Sequence, residues 1–291
     1  MKILLLGKNG QVGWELNRTL LPLGEVVALG REELDLTKEK AIRKTMREIK
    51  PHLVINAAAY TAVDKAEEEP YIAMAVNGTA PGILAEEAKR INAVLLHYST
   101  DYVFDGKKNE PYTENDSPNP INVYGKTKLA GERNIQVVGV PHLIFRTSWV
   151  YGLRGSNFLR TILNLAKSKK ELRIVDDQIG NPTWSRLVAE ITAQTLGIIR
   201  NNNDLEKCTG IYHLTASGET SWFGFAKASL KLVAERQGLK IKPENILPIT
   251  TAEFPTLAER PVFSVMSNSK LQKSFNINIP NWELLVKLAL T

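Results

Sequence analysis

With 291 residues, 43% hydrophobic and 23% charged, the chain can bury a large core as one large domain or two fused lobes, and it reads as a soluble globular protein without repeats or low-complexity segments. Its net charge of +6 comes from scattered basic residues. The densest cluster, Lys167-Ser168-Lys169-Lys170, reads as a solvated helix end, so no nucleic-acid partner is expected, although a mildly basic surface favours an anionic small molecule. One cysteine, Cys208, excludes an intramolecular disulfide, and no apolar run approaches the ~18 residues of a membrane span, so a cytoplasmic protein is expected.

Lys2-Ile3-Leu4-Leu5-Leu6 is a short apolar run that ends at a glycine, which predicts a buried strand. Gly7-Lys8-Asn9-Gly10-Gln11-Val12-Gly13 follows, and Val12, Leu16 and Leu20 then recur at helical spacing. Three glycines therefore sit where a strand becomes a helix. Gly7 permits the tight turn, Gly10 would let backbone approach a phosphate, and Gly13 would let the helix pack close to the sheet. The helix N-terminus offers N–H groups and a positive dipole end to a pyrophosphate. The spacing is Gly-x-x-Gly-x-x-Gly rather than the common dinucleotide fingerprint, so the strand–turn–helix context carries the reading.

Glu25-Val26-Val27-Ala28-Leu29 reads as the second strand. Its end faces the adenine ribose in a dinucleotide fold, where Arg31 suits a 2′-phosphate and so NADP; the bland alternative is a surface charge. Asp35 and Leu36 come next and can sit by the adenine. Residues 38 to 50 have a helix pattern stopped by Pro51, and Leu53-Val54-Ile55 is the third strand, running into Asn56-Ala57-Ala58-Ala59-Tyr60-Thr61. A helix is predicted from Pro70 to about Arg90, with Asn77 as a cap, a packing residue or a contact facing the crevice. Ala93 to Tyr98 is the fourth strand, ending at Ser99-Thr100-Asp101; His97, inside the apolar run, reads as a core histidine. Tyr102 to Pro120 is an irregular loop long enough to suggest function.

Asn122 to about Val137 is helical, His142 to Arg146 is the fifth strand, Asn157 to Ala166 is helical, and Leu172 to Val175 reads as strand six. This alternation predicts an α/β doubly wound parallel sheet, Rossmann-like. Beyond Asp176 the rhythm changes to a turn-rich loop, a helix from about Ser185 to Ile199, a strand at Ile211 to Leu214, a helix capped by Ser221 and running to about Arg236, a loop from Pro255 to Pro261 and a closing helix from Trp282 to Leu290. The expected division is a dinucleotide-binding domain over 1–150 plus part of 151–185. A smaller mixed α/β substrate lobe over about 151–291 shares loops with it.

Tyr124-Gly125-Lys126-Thr127-Lys128 opens a helix, and Tyr124 and Lys128, four apart, share one face. A phenol titrates near pH 10 and a nearby ammonium lowers that value, so Tyr124 would exchange a proton near neutral pH. Such pairs are common on helix surfaces. Here the pair follows strand four at the carboxyl edge of the sheet, where ligands bind in open α/β folds, and a hydroxyl at Ser99 or Thr100 ends that strand.

These stretches together resemble the extended short-chain dehydrogenase/reductase superfamily and, within it, the dTDP-4-dehydrorhamnose reductases. The strings that carry the resemblance are 7–16, 56–67, 98–106, 123–132, 146–152, 177–183 and Arg260-Pro261, which span nearly the whole chain. The resemblance implies reduction of the 4-keto group of dTDP-4-dehydro-L-rhamnose by NADPH or NADH, with Thr100, Tyr124 and Lys128 as the catalytic group. It implies Gln11 and Val12 at the pyrophosphate, Asp35 and Leu36 at the adenosine, Ala59, Tyr60 and Thr61 at the nicotinamide side, and Asp101 and Trp149 on the sugar nucleotide. Arg260 is a diphosphate candidate, since a guanidinium forks onto phosphate oxygens. Successive strand residues face opposite ways, so only one of Ser99 and Thr100 is expected in the site, and Thr100 is preferred. Family members can form dimers, in some cases with Mg²⁺ at the interface, and Glu15 and Glu190 are the carboxylates on offer, though each reads equally as an exposed helix charge. The competing readings are a non-catalytic NADP-binding regulatory subunit and a reductase or epimerase of another nucleotide sugar.

Overall fold

The computed structural model describes residues 1–202, 208–234 and 245–291. In chain order its strands are β1 (Lys2–Leu6), β2 (Glu25–Leu29), β3 (Leu53–Asn56), β4 (Val94–Thr100), β5 (His142–Thr147), β6 (Val150–Tyr151), β7 (Leu172–Val175), β8 (Ile179–Gly180), β9 (Thr183–Trp184), β10 (Gly210–His213), β11 (Thr220–Ser221) and β12 (Ile246–Ile249). The central sheet runs β10-β5-β4-β3-β1-β2 with every pair parallel. The chain moves outward from β1 to β2 and then returns to the other side of β1, so the crevice at the carboxyl ends of β1 and β3 is a topological switch point, the place where open α/β sheets take ligands.

Alternation along each strand explains the two layers. Ile3 and Leu5 of β1 pack with Leu16 of α1 (Gln11–Thr19) and with Leu187, Val188 and Ile191 of α7 (Ser185–Asn202). Leu4 and Leu6 face the other way, onto Ile42 and Met46 of α2 (Glu39–Ile49) and Leu84 and Ala88 of α5 (Ala80–Arg90). A sheet covered on both faces needs apolar residues at every strand position, which is why its strands read as continuous apolar runs. Each fully buried Leu or Ile contributes about 1.5–3 kcal/mol by leaving water.

Two expectations change. Leu172–Val175 is a strand but not the sixth of the central sheet; it pairs with β12 in a separate two-stranded ribbon, and β10 takes the edge beside β5. A four-residue apolar run encodes burial but not which neighbour covers it. The helix predicted from Pro70 to Arg90 is broken into α4 (Pro70–Met74), a π turn (Ala75–Thr79) and α5. The wide turn lies against α6 (Val123–Val138): a Cβ on Gly78 would stand 3.4 Å from the Thr127 carbonyl oxygen. A short helix, α3 (Val63–Glu68), precedes it and had no periodic signal. The helix after Ser221 spans Trp222–Val233, with Ser221 Oγ accepting from the Gly224 N–H at 2.9 Å; its expected end near Arg236 lies outside the described residues. No helix among the described residues is long and apolar enough to cross a membrane.

Candidate active site

A cleft of about 860 Å³ opens over the carboxyl ends of β1, β3, β4 and β5. At one end the first turn is set by Gly7, with φ 86°, where a Cβ would lie 2.7 Å from the Ala58 nitrogen. Only glycine fits that approach between the β1 and β3 ends. A Cβ on Gly13 would stand 2.0 Å from the Gly7 carbonyl oxygen, so Gly13 seats α1 against the turn and does not border the cleft. Gly10, Gln11 and Val12 do border it, and no side chain caps the α1 N-terminus, which leaves its first-turn N–H groups for an anion. The Gln11 side chain faces the segment after β6: its Oε1 accepts from Asn157 Nδ2 at 2.8 Å and its Nε2 donates to the Val150 carbonyl at 3.4 Å.

Arg31, Asp35 and Leu36 line the outer end. Asp35 accepts from the Thr37 N–H and hydroxyl, both at 2.9 Å; these bonds, with Arg31 nearby, hold its carboxyl below the usual range. Ala59, Tyr60 and Thr61 line the middle. Asn77, in the π turn, clamps the Tyr60 backbone, accepting from its N–H at 2.8 Å and donating to its carbonyl at 3.0 Å. Of the three roles considered for Asn77, packing beneath the cleft wall is the one observed.

At the other end, α6 is aimed by its first residues. Asn122 Oδ1 accepts from the Gly125 N–H at 2.8 Å and Glu67 Oε1 accepts from the Val123 N–H at 2.8 Å. A Cβ on Gly125 would stand 2.1 Å from the Tyr102 carbonyl oxygen, so only a glycine there lets the helix start this close to the end of β4. Tyr124 thereby comes beside Thr100, and both border the cleft. Thr100 Oγ1 donates to Asp101 Oδ1 at 3.0 Å and accepts from the Tyr102 N–H at 3.2 Å. Asp101 is buried; burial pushes its carboxyl up to about 6 against the pull of hydrogen bonds from Ser264, Ser148 and Thr100. Both Ser99 and Thr100 border the cleft, but the Ser99 hydroxyl is buried without a protein partner.

One electrostatic expectation is reversed. Lys128 shares the Tyr124 face and borders the cleft, yet its Nζ donates to the Tyr98 carbonyl at 2.5 Å and lies 3.3 Å from His97 Nε2. Burial pushes the Tyr124 phenol up to about 12, opposed by the Thr100 hydroxyl, and pushes Lys128 down to about 8, opposed by Glu132. Helical spacing brings the two side chains to one face, but desolvation of both groups outweighs any lowering of the phenol by the amine. His97 is the core histidine expected from its apolar surroundings, and it touches Lys128.

Trp149 borders the cleft from β5's end, stacked on Trp222. Arg260 borders it too, with its guanidinium held by Asp64 through Nη1–Oδ1 at 3.1 Å and Nη2–Oδ2 at 2.7 Å. Glu15 and Glu190 do not border the cleft; Arg186 Nε donates to Glu190 at 2.8 Å, and the Glu15 charge also raises the Arg186 guanidinium. Among the described residues no group of three or more His, Cys, Asp or Glu could hold a metal ion. Sequence reasoning passed over Tyr102, Asn157 and Trp222, which also line the cleft. Tyr102 sits inside a string that carries the family resemblance, Asn157 opens a helix, and Trp222 follows a capping serine; none had a periodic or spacing signal of its own.

The RmlD substrate binding domain family model matches residues 1–291. A dTDP-4-dehydrorhamnose reductase of Burkholderia thailandensis is 47% identical, over 99% of this chain and 97% of its own length. The crystal structure of a dTDP-4-dehydrorhamnose reductase of Clostridium acetobutylicum is 39% identical with a TM-score of 0.91, covering 100% of this chain and 98% of that one. A Bacillus anthracis dTDP-4-dehydrorhamnose reductase solved in complex with NADP is 33% identical with a TM-score of 0.86, covering 99% and 98%. A glycine turn beneath an open dinucleotide-sized cleft, a Tyr–Lys pair at its far end and this agreement along the whole length place the chain in the dTDP-4-dehydrorhamnose reductase family.

Proposed function

We propose that the protein reduces the 4-keto group of dTDP-4-dehydro-L-rhamnose to dTDP-L-rhamnose, using NADPH or NADH, with Tyr124 as proton donor. The observation that carries the reading is the meeting of Thr100 and Tyr124 on the wall of one cleft, with Lys128 one turn further along α6. The nicotinamide, when bound, supplies the hydride. Negative charge then builds on the ketone oxygen, and a phenol near 12 stays protonated at neutral pH, ready to hand over its proton. Thr100 holds that oxygen beside the phenol, and Lys128 supports the phenolate left behind and the adjacent ribose.

In the same reading Gly7, Gly10, Gln11 and Val12 receive the cofactor diphosphate, with Gly13 seating the helix behind them. Arg31, Asp35 and Leu36 take the adenosine end and Ala59, Tyr60 and Thr61 the nicotinamide side. Asp101, Trp149 and Arg260 belong to the sugar-nucleotide end. Residues 1–150 with part of 151–185 form the dinucleotide-binding part and about 151–291 mostly the substrate lobe, in a cytoplasmic homodimer. No step of this reading uses a metal ion.

Tyr124→Phe tests the reading. The ring stays and the proton donor goes, so cofactor affinity is kept while turnover falls by about two orders of magnitude or more. NADPH absorbance is followed with the dTDP-sugar and then with its UDP and GDP counterparts. Unchanged turnover in the variant removes the mechanism, and equal rates with all three nucleotides remove the substrate assignment.

A further inference from the structure

Asn56 ends β3 and His97 is its register partner on β4, and both are 1% exposed. Asn56 Nδ2 lies 3.1 Å from His97 Nδ1, and His97 Nε2 lies 3.3 Å from Lys128 Nζ. The orientation of the Asn56 amide is decided by its other end: Oδ1 accepts from the Ala58 N–H at 3.2 Å, and the reversed amide would set N–H against N–H. Nδ2 therefore donates to His97 Nδ1. A neutral imidazole carries one proton, so that proton is on Nε2 and points at Lys128. The imidazole is neutral, because burial pushes its proton affinity well below the ordinary value.

An ammonium at Lys128 would meet that Nε2–H head on. An amine satisfies every partner: its lone pair accepts from Nε2–H, one N–H donates to the Tyr98 carbonyl at 2.5 Å, and the other is left for the cleft. We infer that Asn56 and His97 are positioning residues that present an N–H to Lys128 and lower its proton affinity before ligands enter. The inference rests on the reading of Lys128 as the catalytic amine. Two further titratable groups near Lys128 are on its own helix. Tyr124 lies one turn back, and Glu132 one turn on pulls towards the ammonium but is itself held by Arg146 of β5 at 2.7 and 3.0 Å. Burial drives Lys128 down to about 8, in the same direction as the imidazole N–H.

Two measurements test it. Two-bond ¹H–¹⁵N correlation spectra of the folded protein, with His97 assigned by His97→Gln, read the tautomer directly. The expected result is Nε2–H with Nδ1 unprotonated between about pH 6 and 9; an Nδ1–H tautomer or an imidazolium overturns the inference. Asn56→Asp places a carboxylate where it takes an N–H from Nδ1, turning Nε2 into an acceptor for an ammonium. The Lys128-dependent limb of the kcat/KM profile then moves to higher pH by about one unit or more, and an unmoved limb overturns the inference. The spectrum is read without turnover, so its failure is distinct from failure of the Tyr124 assignment, which Tyr124→Phe decides.

Discussion

Trp149 lies flat on Trp222, ring centroids 3.5 Å apart and planes 5° from parallel, and it does so from a left-handed backbone at φ 44°. That backbone costs a bulky residue about 1–2 kcal/mol, and a stacked aromatic pair returns about 0.5–1.5 kcal/mol beyond its burial. Gly180 completes the seat, since a Cβ there would stand 2.5 Å from the Trp149 ring. Three separate segments therefore hold one ring at the cleft wall.

Trp222→Ala removes the stack without touching the cofactor end. The KM for the sugar nucleotide rises by up to about tenfold, the stacking energy converted, while the KM for NADPH keeps its value. Gly180→Ala shifts the ring and moves the same constant in the same direction. Steady-state kinetics with each substrate varied in turn checks this, and a rise confined to the NADPH constant would place the tryptophans at the wrong end of the cleft.

Arg31 is exposed at the outer end of the cleft. Arg31→Ala weakens NADPH binding roughly tenfold, the worth of about one charge-assisted hydrogen bond at a wet site, and leaves NADH binding alone. Fluorescence titration with both cofactors reads the difference. Equal losses for the two would take Arg31 away from the 2′-phosphate.

Asp101 is a buried acid whose folded-state value, about 6, exceeds its unfolded 3.8. The folded state binds the extra proton between those values, so this group's contribution to stability is fully present below about pH 4 and is lost as pH rises through about 6. Asp101→Asn abolishes that dependence. The stability of the variant relative to the parent therefore climbs between about pH 4 and 6, by at most ~3 kcal/mol for a shift of about two units, and is level above. Urea unfolding at a series of pH values measures it, and a flat difference across the window would contradict the burial argument.

Glu132 and Arg146 form a buried pair, 1% and 2% exposed, bonded through Oε2–Nη2 at 2.7 Å and Oε1–Nε at 3.0 Å. Glu132→Ala strands the guanidinium beneath the Lys128 turn and lowers unfolding stability by about 3–5 kcal/mol. Denaturant titration gives the number. A loss under ~1 kcal/mol would mean that solvent reaches Arg146 once the carboxylate is gone.

Local chemistry made much of this protein legible from its residues. Strands β1 to β5 follow from apolar runs that a doubly covered sheet requires, the first turn follows from Gly7 and Gly13, and the shared face of Tyr124 and Lys128 follows from helical spacing alone. Periodicity reports that a side chain is buried; it does not report against what. Only the assembled fold decided that β10 rather than β7 completes the central sheet and that Trp222 is the partner of Trp149. The same holds for the bond from Arg260 to Asp64, 196 positions away. Desolvation is likewise a property of the finished interior. It raised the Tyr124 phenol and lowered the Lys128 amine, and the pairing of β3 with β4 set His97 between Asn56 and that amine. Such partners lie tens to hundreds of residues apart, and no local pattern of residue types specifies them.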